Sequence, residues 1–374
     1  LDALLHKLLK TGHQETIDHA LEHLFKTDLV AYDTLMEAVE AGSESCTIEH
    51  DGIQYDALLI AVPILAWTRF SIASGTIPDE MRTVLSAHLH GHVLAPDTHL
   101  AMQPTLFSID QLPRTHAATY AITQRMAQAA VKGTVPRPLS NAPQTAPFLA
   151  DTRYLLAAVA ARAGTPLFGW QASMHPDDRA QALVQWRAQA GPNIMSLLPG
   201  CGIELLLPEA YYFACREADK QIRPASIQAA IHYLTNTLGV EANGLRAIIG
   251  GFSEDLVAGR VDEYRIGFTL RQNPEVIYGV VWPLYGQEDE EETATITLEA
   301  VMTPENVSEE LRTPIEEIVA LLRACGITHI KRHSERFPME FCDDCGAPLY
   351  PDAEGELMHA EMPEDAPSGT GHFH

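Results

Sequence analysis

The sequence predicts an α/β protein with a helical N-terminal layer, two tandem related α/β units, and a C-terminal α+β part carrying a zinc-knuckle-like hairpin. Three observations predict it. Leucines recur at helical spacing at the start of the chain. A strand–helix–strand–helix order is read twice, the second time displaced by about one hundred residues. A C-x-x-C-G motif near the end precedes a strand–turn–strand pattern. The segments are expected at 1–45 (helical), 46–133 (first α/β unit), 134–148 (linker), 149–260 (second α/β unit), 261–335 (α+β) and 336–374 (knuckle hairpin and tail).

Leu1, Leu4, Leu5, Leu8 and Leu9 share one helical face, and Gly12 is a stop. Ile17, Ala20, Leu21 and Leu24 make a second face, with cap character at Lys26-Thr27-Asp28. A third pattern runs from Leu29 to Val39 and ends at Ala41-Gly42. Short helices with tight turns form an antiparallel layer, too few to be a solenoid.

Thr47 to His50 reads as a strand, with Asp51-Gly52 as a hairpin turn. Tyr55 to Leu65 is a continuous apolar run, as in a strand buried on both faces, and Pro63 marks an edge or bend. Pro78-Asp79-Glu80 opens a helix. Leu94 to Met102 is expected as a strand and Asp110 to Lys132 as a helix. Four prolines between residues 133 and 148 mark a boundary between domains.

Beyond that stretch the pattern restarts. Tyr154 to Val159 resembles Tyr55 to Val62, Trp170 to Ser173 resembles Trp67 to Ser71, and Pro176-Asp177-Asp178 opens a helix as Pro78-Asp79-Glu80 does. This reads as a tandem duplication; generic patterning shared by two ordinary α/β segments is the alternative. Helices are expected at Tyr211 to Lys220 and at Ser226 to Gly239. Tyr264 to Leu270 and Val276 to Trp282 form a hairpin around Arg271 to Pro274. Glu288 to Glu292 is a solvated acidic loop, Thr295 to Met302 a strand, Ser308 to Cys325 a helix ended by Gly326, and Ile327 to Ile330 a strand.

Composition bounds the function. The 374 residues are 46% apolar, enough for sizeable cores, and carry 50 acids against 25 bases, a net charge of −25. A duplex-binding surface needs a basic stripe, and none is found, so no nucleic-acid partner is expected. No run of about 18 apolar residues occurs, so no membrane span is expected. Cys46, Cys201, Cys215, Cys325, Cys342 and Cys345 are too sparse for a disulfide framework, and a reducing, cytoplasmic setting is expected. The chain begins at Leu1, mid-pattern in a helix, which reads as an N-terminal truncation.

Cys342-Asp343-Asp344-Cys345-Gly346 is the one segment whose chemistry can be named. Two thiolates three positions apart can chelate one tetrahedral ion, and the glycine lets the turn aim backbone N–H groups at the sulfurs. A hairpin of half a zinc ribbon follows, from Ala347 through the Ala353-Glu354-Gly355 turn to Met362. The second cysteine pair of a ribbon is missing. His359 is the first candidate to complete a zinc site with Cys342 and Cys345; His333, His372 and His374 follow. A redox dithiol and a metal-free knuckle are the rival readings, the former weakened because no helix follows the motif.

Elsewhere the signals are weaker. His88, His90 and His92 would share one face of a strand, although surface histidines are commoner than a metal site. Gly250-Gly251 reads as a turn and fits no phosphate-binding motif. Arg69, Arg216 and Arg223 could bind an anion at a strand end, but ion pairing with the acidic surface is the commoner fate.

Arg336 to Leu349, Gly355 to Glu364 and Leu1 to Glu40 resemble an uncharacterised beta-proteobacterial family, filed as domain of unknown function 2863. The resemblance extends over nearly the whole chain. It implies a bacterial, cytosolic protein and supports Cys342, Cys345 and His359 as one motif, and it carries no activity, so no catalytic residue is assigned. The expectation is a non-catalytic protein with a structural zinc knuckle acting through a protein partner. The alternative is an enzyme or small-ligand binder using the cleft between the duplicated units.

Overall fold

The structure, a computed structural model, describes residues 2–138, 148–173, 175–254, 256, 260–285, 288 and 313–363. The acidic loop beyond Glu288, the strand expected at Thr295 to Met302, the start of the helix expected from Ser308, and His372 and His374 lie outside the described residues. Contacts divide the chain into two compact units: Leu1–Ala66, Ile72–Thr145 and Asp151–Asp219 form the first, and Trp67–Ser71, Ala146–Ala150 and Lys220–His374 the second.

In the first unit, α1 (Asp2–Thr11), α2 (Gln14–Thr27) and α3 (Leu29–Glu44) form the expected helical layer. Leu5, Leu9, Ile17, Leu21 and Val39 bury their apolar faces together against Tyr120. The break before α3 is a cap: the Asp28 carboxylate accepts from the Ala31 N–H at 3.0 Å. β1 (Ser45–His50) and β2 (Ile53–Trp67) pair antiparallel around Asp51 and Gly52, both at positive φ as a two-residue hairpin requires.

Next come β3 (Gly75–Thr76), α4 (Asp79–His92), β4 (His99–Ser108) and α5 (His116–Lys132), which is closed by Gly133 in the left-handed conformation. Then follow β5 (Ala150–Arg162), α6 (Gly169–Ser173), α7 (Asp178–Leu197), β6 (Gly202–Leu205), β7 (Glu209–Ala210) and α8 (Tyr211–Leu238). The strands join one sheet in the order β1-β2-β5-β4-β3, with β6 and β7 also pairing with β2.

That order corrects the boundary expected at 134–148. β5, the first element after the proline-rich stretch, is hydrogen-bonded between β2 and β4, so the stretch connects strands of one sheet. The physical reason lies in β5 itself. Every residue from Thr152 to Ala161 is buried, and a strand apolar on both faces needs a central seat. One face packs Ile60, Val62, Leu155 and Val159 against Leu85 and Leu89 of α4 and Trp186 and Ile194 of α7. The other brings Ala57, Ala101 and Ala160 against Ala127 and Ala130 of α5.

Three further expectations are corrected. Leu94 makes only an isolated bridge to Phe168, and the strand begins at His99 after Asp97 turns the chain at positive φ. His88, His90 and His92 lie on α4, where alternate residues do not share a face. The two helices expected around Pro224 are one, α8. A proline there leaves the Lys220 carbonyl without its helical N–H, and Arg223 Nε donates to that carbonyl at 3.1 Å.

In the second unit, β8 (Leu245–Ser253), β9 (Glu263–Leu270), β10 (Val276–Pro283) and β11 (His329–Pro338) form a sheet in the order β10-β9-β8-β11, with β11 parallel to β8. α9 (Pro314–Ala324) starts in a capping box between Thr313 and Glu316. Ala247, Ile249, Ile266, Phe268 and Trp282 face Ile227 and Leu234 of α8 and Ile318 and Leu322 of α9. β11 is longer than the expected Ile327 to Ile330: it is an edge strand with Phe337 as its one buried residue, so it has no apolar pattern to read. The opposite face of the sheet carries Gly250, Arg265, Gly267 and Gly279, and β12 (Leu349–Pro351) lies over it, paired with β13 (Leu357–His359). Gly250-Gly251 is therefore inside a strand, not a turn.

Candidate metal centre

The knuckle begins three residues beyond β11. Phe341 and Pro348 form an antiparallel bridge. Inside it, the Cys342 N–H donates to the Ala347 carbonyl at 2.7 Å, and the Gly346 N–H donates to the Cys342 carbonyl at 2.8 Å. Gly346 closes this loop at φ 72°, a conformation that favours glycine. The N–H groups of Cys345 and then Asp344, aimed at the Cys342 sulfur, hold its thiol below the usual thiol range. That is the backbone arrangement the C-x-x-C-G spacing predicts.

The hairpin supplies the third donor. β12 and β13 pair Leu349 with His359, Tyr350 with Met358 and Pro351 with Leu357. Their turn is fixed by Asp352, whose Oδ1 accepts from the N–H groups of Glu354 and Glu356 at 2.8 Å each, with Gly355 at φ 91°. The register returns the chain to the knuckle, and His359 Nε2 lies 3.3 Å from Cys345 Sγ. The donor atoms of Cys342, Cys345 and His359 all lie within 4.8 Å of one another. A tetrahedral zinc ion, with Zn–S about 2.3 Å and Zn–N about 2.0 Å, separates its donors by roughly 3.5–3.8 Å. The residues therefore fit such an ion with small closing movements. Cys342 is half-buried, while Cys345 and His359 are exposed.

His333 does not join this group. Its side chain is nearly buried, Nε2 donates to the Asp352 carbonyl at 2.8 Å, and Nδ1 faces Glu335 at 3.5 Å. It holds the hairpin turn onto β11, as does Lys331, which donates to the Ala353 carbonyl.

Arg265 is the residue the sequence hides. It is fully buried on β9. Its Nε pairs with Glu263 at 2.6 Å, and Nη1 donates to the carbonyls of Glu340 at 2.6 Å and Leu349 at 2.8 Å. Its guanidinium lies 4.2 Å from the ring centre of Phe252 and 5.0 Å from that of Phe341. One cation thus ties both flanks of the knuckle to the sheet. The only sequence signal for it was indirect: glycines on three adjacent strands announce that another backbone crosses them. A Cβ on Gly279 would overlap the Tyr350 ring, and one on Gly250 would meet Phe337 and Pro351 at 2.9 Å.

The remaining candidates separate. Arg216 pairs with Glu40 at 2.5 Å, Arg223 pairs with Glu288 at 2.9 Å and covers Trp282, and Arg69 lies over Phe70. His88 and His92 stack at 6.0 Å, and Asn193 Nδ2 lies 3.2 Å from His88 Nε2. Burial pushes the Cys46 thiol up to about 11 and that of Cys215 higher still, so neither is a ready thiolate. A cavity of about 300 Å³ lies against the C-terminal half of α8, with His232, Glu241 and Cys325 in its wall, and burial raises the Cys325 thiol too.

A family model described as a protein of unknown function (DUF2863) matches residues 1–373. The chain belongs to the DUF2863 family. No curated protein and no solved structure matches it. Among the described residues of this DUF2863 chain, no helix is long and apolar enough to cross a membrane, and the group of Cys342, Cys345 and His359 is the one His/Cys/Asp/Glu cluster with metal-binding geometry.

Proposed function

We propose that this is a bacterial cytosolic protein that acts through protein contacts rather than catalysis, and that Cys342, Cys345 and His359 bind zinc as a clasp on the C-terminal hairpin. The observation that carries the reading is the mutual approach of three donors from two separate segments within 4.8 Å. Bound there, zinc would link the knuckle loop to the returning strand β13 and add its binding energy to folding. A redox role for the pair is not supported, since Gly346 and Pro348 lead into a strand and no helix begins at the cysteines. The test is metal content of untagged protein purified without chelator. Close to one equivalent of zinc is expected, and less than about a third would end the proposal, because a folding site of this kind stays loaded.

We also infer that the α/β segments 46–133 and 149–260 arose by duplication. Support comes from their order: β2-α4-β4-α5 is followed by β5-α7-β6-α8, and each copy lends its second strand to the other's first. β4 pairs with β5, while β6 and β7 pair with β2. Separately expressed copies should fail to fold alone and fold on mixing. The inference fails if the backbones of the two copies, superposed strand on strand and helix on helix in an experimental structure, do not match.

A further inference from the structure

A closed structural zinc site uses four protein donors, whereas a site with three keeps a position for an outside ligand. Here the group of mutually close donors stops at three among the described residues. Two of its members, Cys345 and His359, are exposed and Cys342 is half-buried, so an outside ligand can reach the group. The remaining nearby histidine, His333, is committed to the Asp352 carbonyl and Glu335. The knuckle's own acids, Asp343 and Asp344, are not members of the group.

Charge selects what can enter. Two thiolates cancel the charge of a divalent zinc ion, and a neutral imidazole adds none. The centre is then neutral, with Asp343 and Asp344 beside it in a chain of net charge −25. An anionic fourth ligand would leave a negative centre facing two carboxylates, while a neutral donor meets no such repulsion. Water satisfies this condition at rest. Among protein side chains, histidine does so with a donor suited to zinc.

We propose that the ion held by Cys342, Cys345 and His359 has a solvent-facing fourth position selective for a neutral nitrogen donor, the imidazole of a histidine on a partner protein. Water leaves as that imidazole binds, and no other bond changes. The inference rests on the zinc reading above and gives the knuckle a way to recognise a partner.

The test uses cobalt(II) in place of zinc on the full chain, with imidazole and azide as probes. Cobalt bound by two thiolates shows near-ultraviolet charge-transfer absorption and intense visible bands. Absence of these bands would overturn the metal site itself. Given the bands, imidazole is expected to shift them saturably and at least tenfold more tightly than azide. No shift with imidazole, or equal or tighter binding of azide, overturns the open, charge-selective position. The variant His372→Ala/His374→Ala gives the last arm. If only that variant responds to imidazole, the chain's own tail fills the position, and the proposal of an outside donor fails.

Discussion

Arg265 Nη1 donates to the main-chain oxygen of Glu340 at 2.6 Å, two residues before the first cysteine of the knuckle. The same nitrogen reaches Leu349 on the far flank, so the loop is held at both ends by one buried cation. Replacing it removes the partner of the Glu263 carboxylate and the side-chain donor to two carbonyls, of which Glu340 keeps the Leu349 N–H at 3.2 Å. Arg265→Met is expected to cost about 3–5 kcal/mol, the range for breaking a buried pair from one side. Urea unfolding of the full chain measures this, and a loss under about 1 kcal/mol would show that the anchor contributes little.

The glycines beneath the hairpin make a second prediction. Gly279→Ala drives a methyl group into the Tyr350 ring and should destabilise the protein by about 1–3 kcal/mol. In a Tyr350→Ala background most of that cost should vanish, since the two changes share one contact. Additive costs would mean that the glycine is there for some other reason.

Metal removal should loosen one place only. With Cys342, Cys345 and His359 unlinked, the β12–β13 hairpin keeps its ties to Arg265, Lys331 and His333 but loses the bond between its returning strand and the knuckle. Chelator-treated protein is expected to be cut several-fold faster near residues 343–346, and added zinc should restore protection. Cys345→Ser should abolish the zinc effect. Protection that ignores both zinc and this substitution would separate the knuckle from the metal.

In the helical layer, Glu44 accepts the Tyr212 N–H at 2.9 Å. Burial raises its carboxyl to about 7, helped by Glu40 and opposed by that N–H and by Arg216. The folded-state value lies above the ordinary 4.5, so the folded form is the stronger proton binder. Its contribution is full below about 4.5 and is lost as pH rises through about 7, on the order of 3 kcal/mol in all. Glu44→Gln should remove this part of the pH dependence and narrow the gap in unfolding free energy between pH 5 and pH 8. An unchanged pH profile in the variant would put the titration elsewhere.

What the sequence reveals here follows from how local each signal is. The leucine spacing of α1, the Asp28 cap, the Asp51-Gly52 turn and the β9–β10 hairpin are set by neighbours in the chain, and all appear where expected. The knuckle loop and the β12–β13 hairpin were legible for the same reason. The seat of β5 was not, because its partners β4 and β2 lie about fifty and about ninety residues back and are chosen by burial on both faces. β11 escaped because an exposed edge strand has no apolar rhythm. Arg265 is not legible because a charged residue in a strand reads as solvent-facing, and here the hairpin covers that face of the sheet.

The central position of β5 governs when this chain can fold during synthesis. Until Arg162 has left the ribosome, β2 and β4 have no strand between them, and the sheet is completed only when Ala210 follows. Strands β1 to β4 must therefore wait for β5 to β7, and they stay open to chaperones in the meantime. The same connectivity makes the proline-rich stretch a poor place to divide the protein into stable pieces. It is a good place for a nick: the two fragments would remain bound through the ladders that β5 makes on either side.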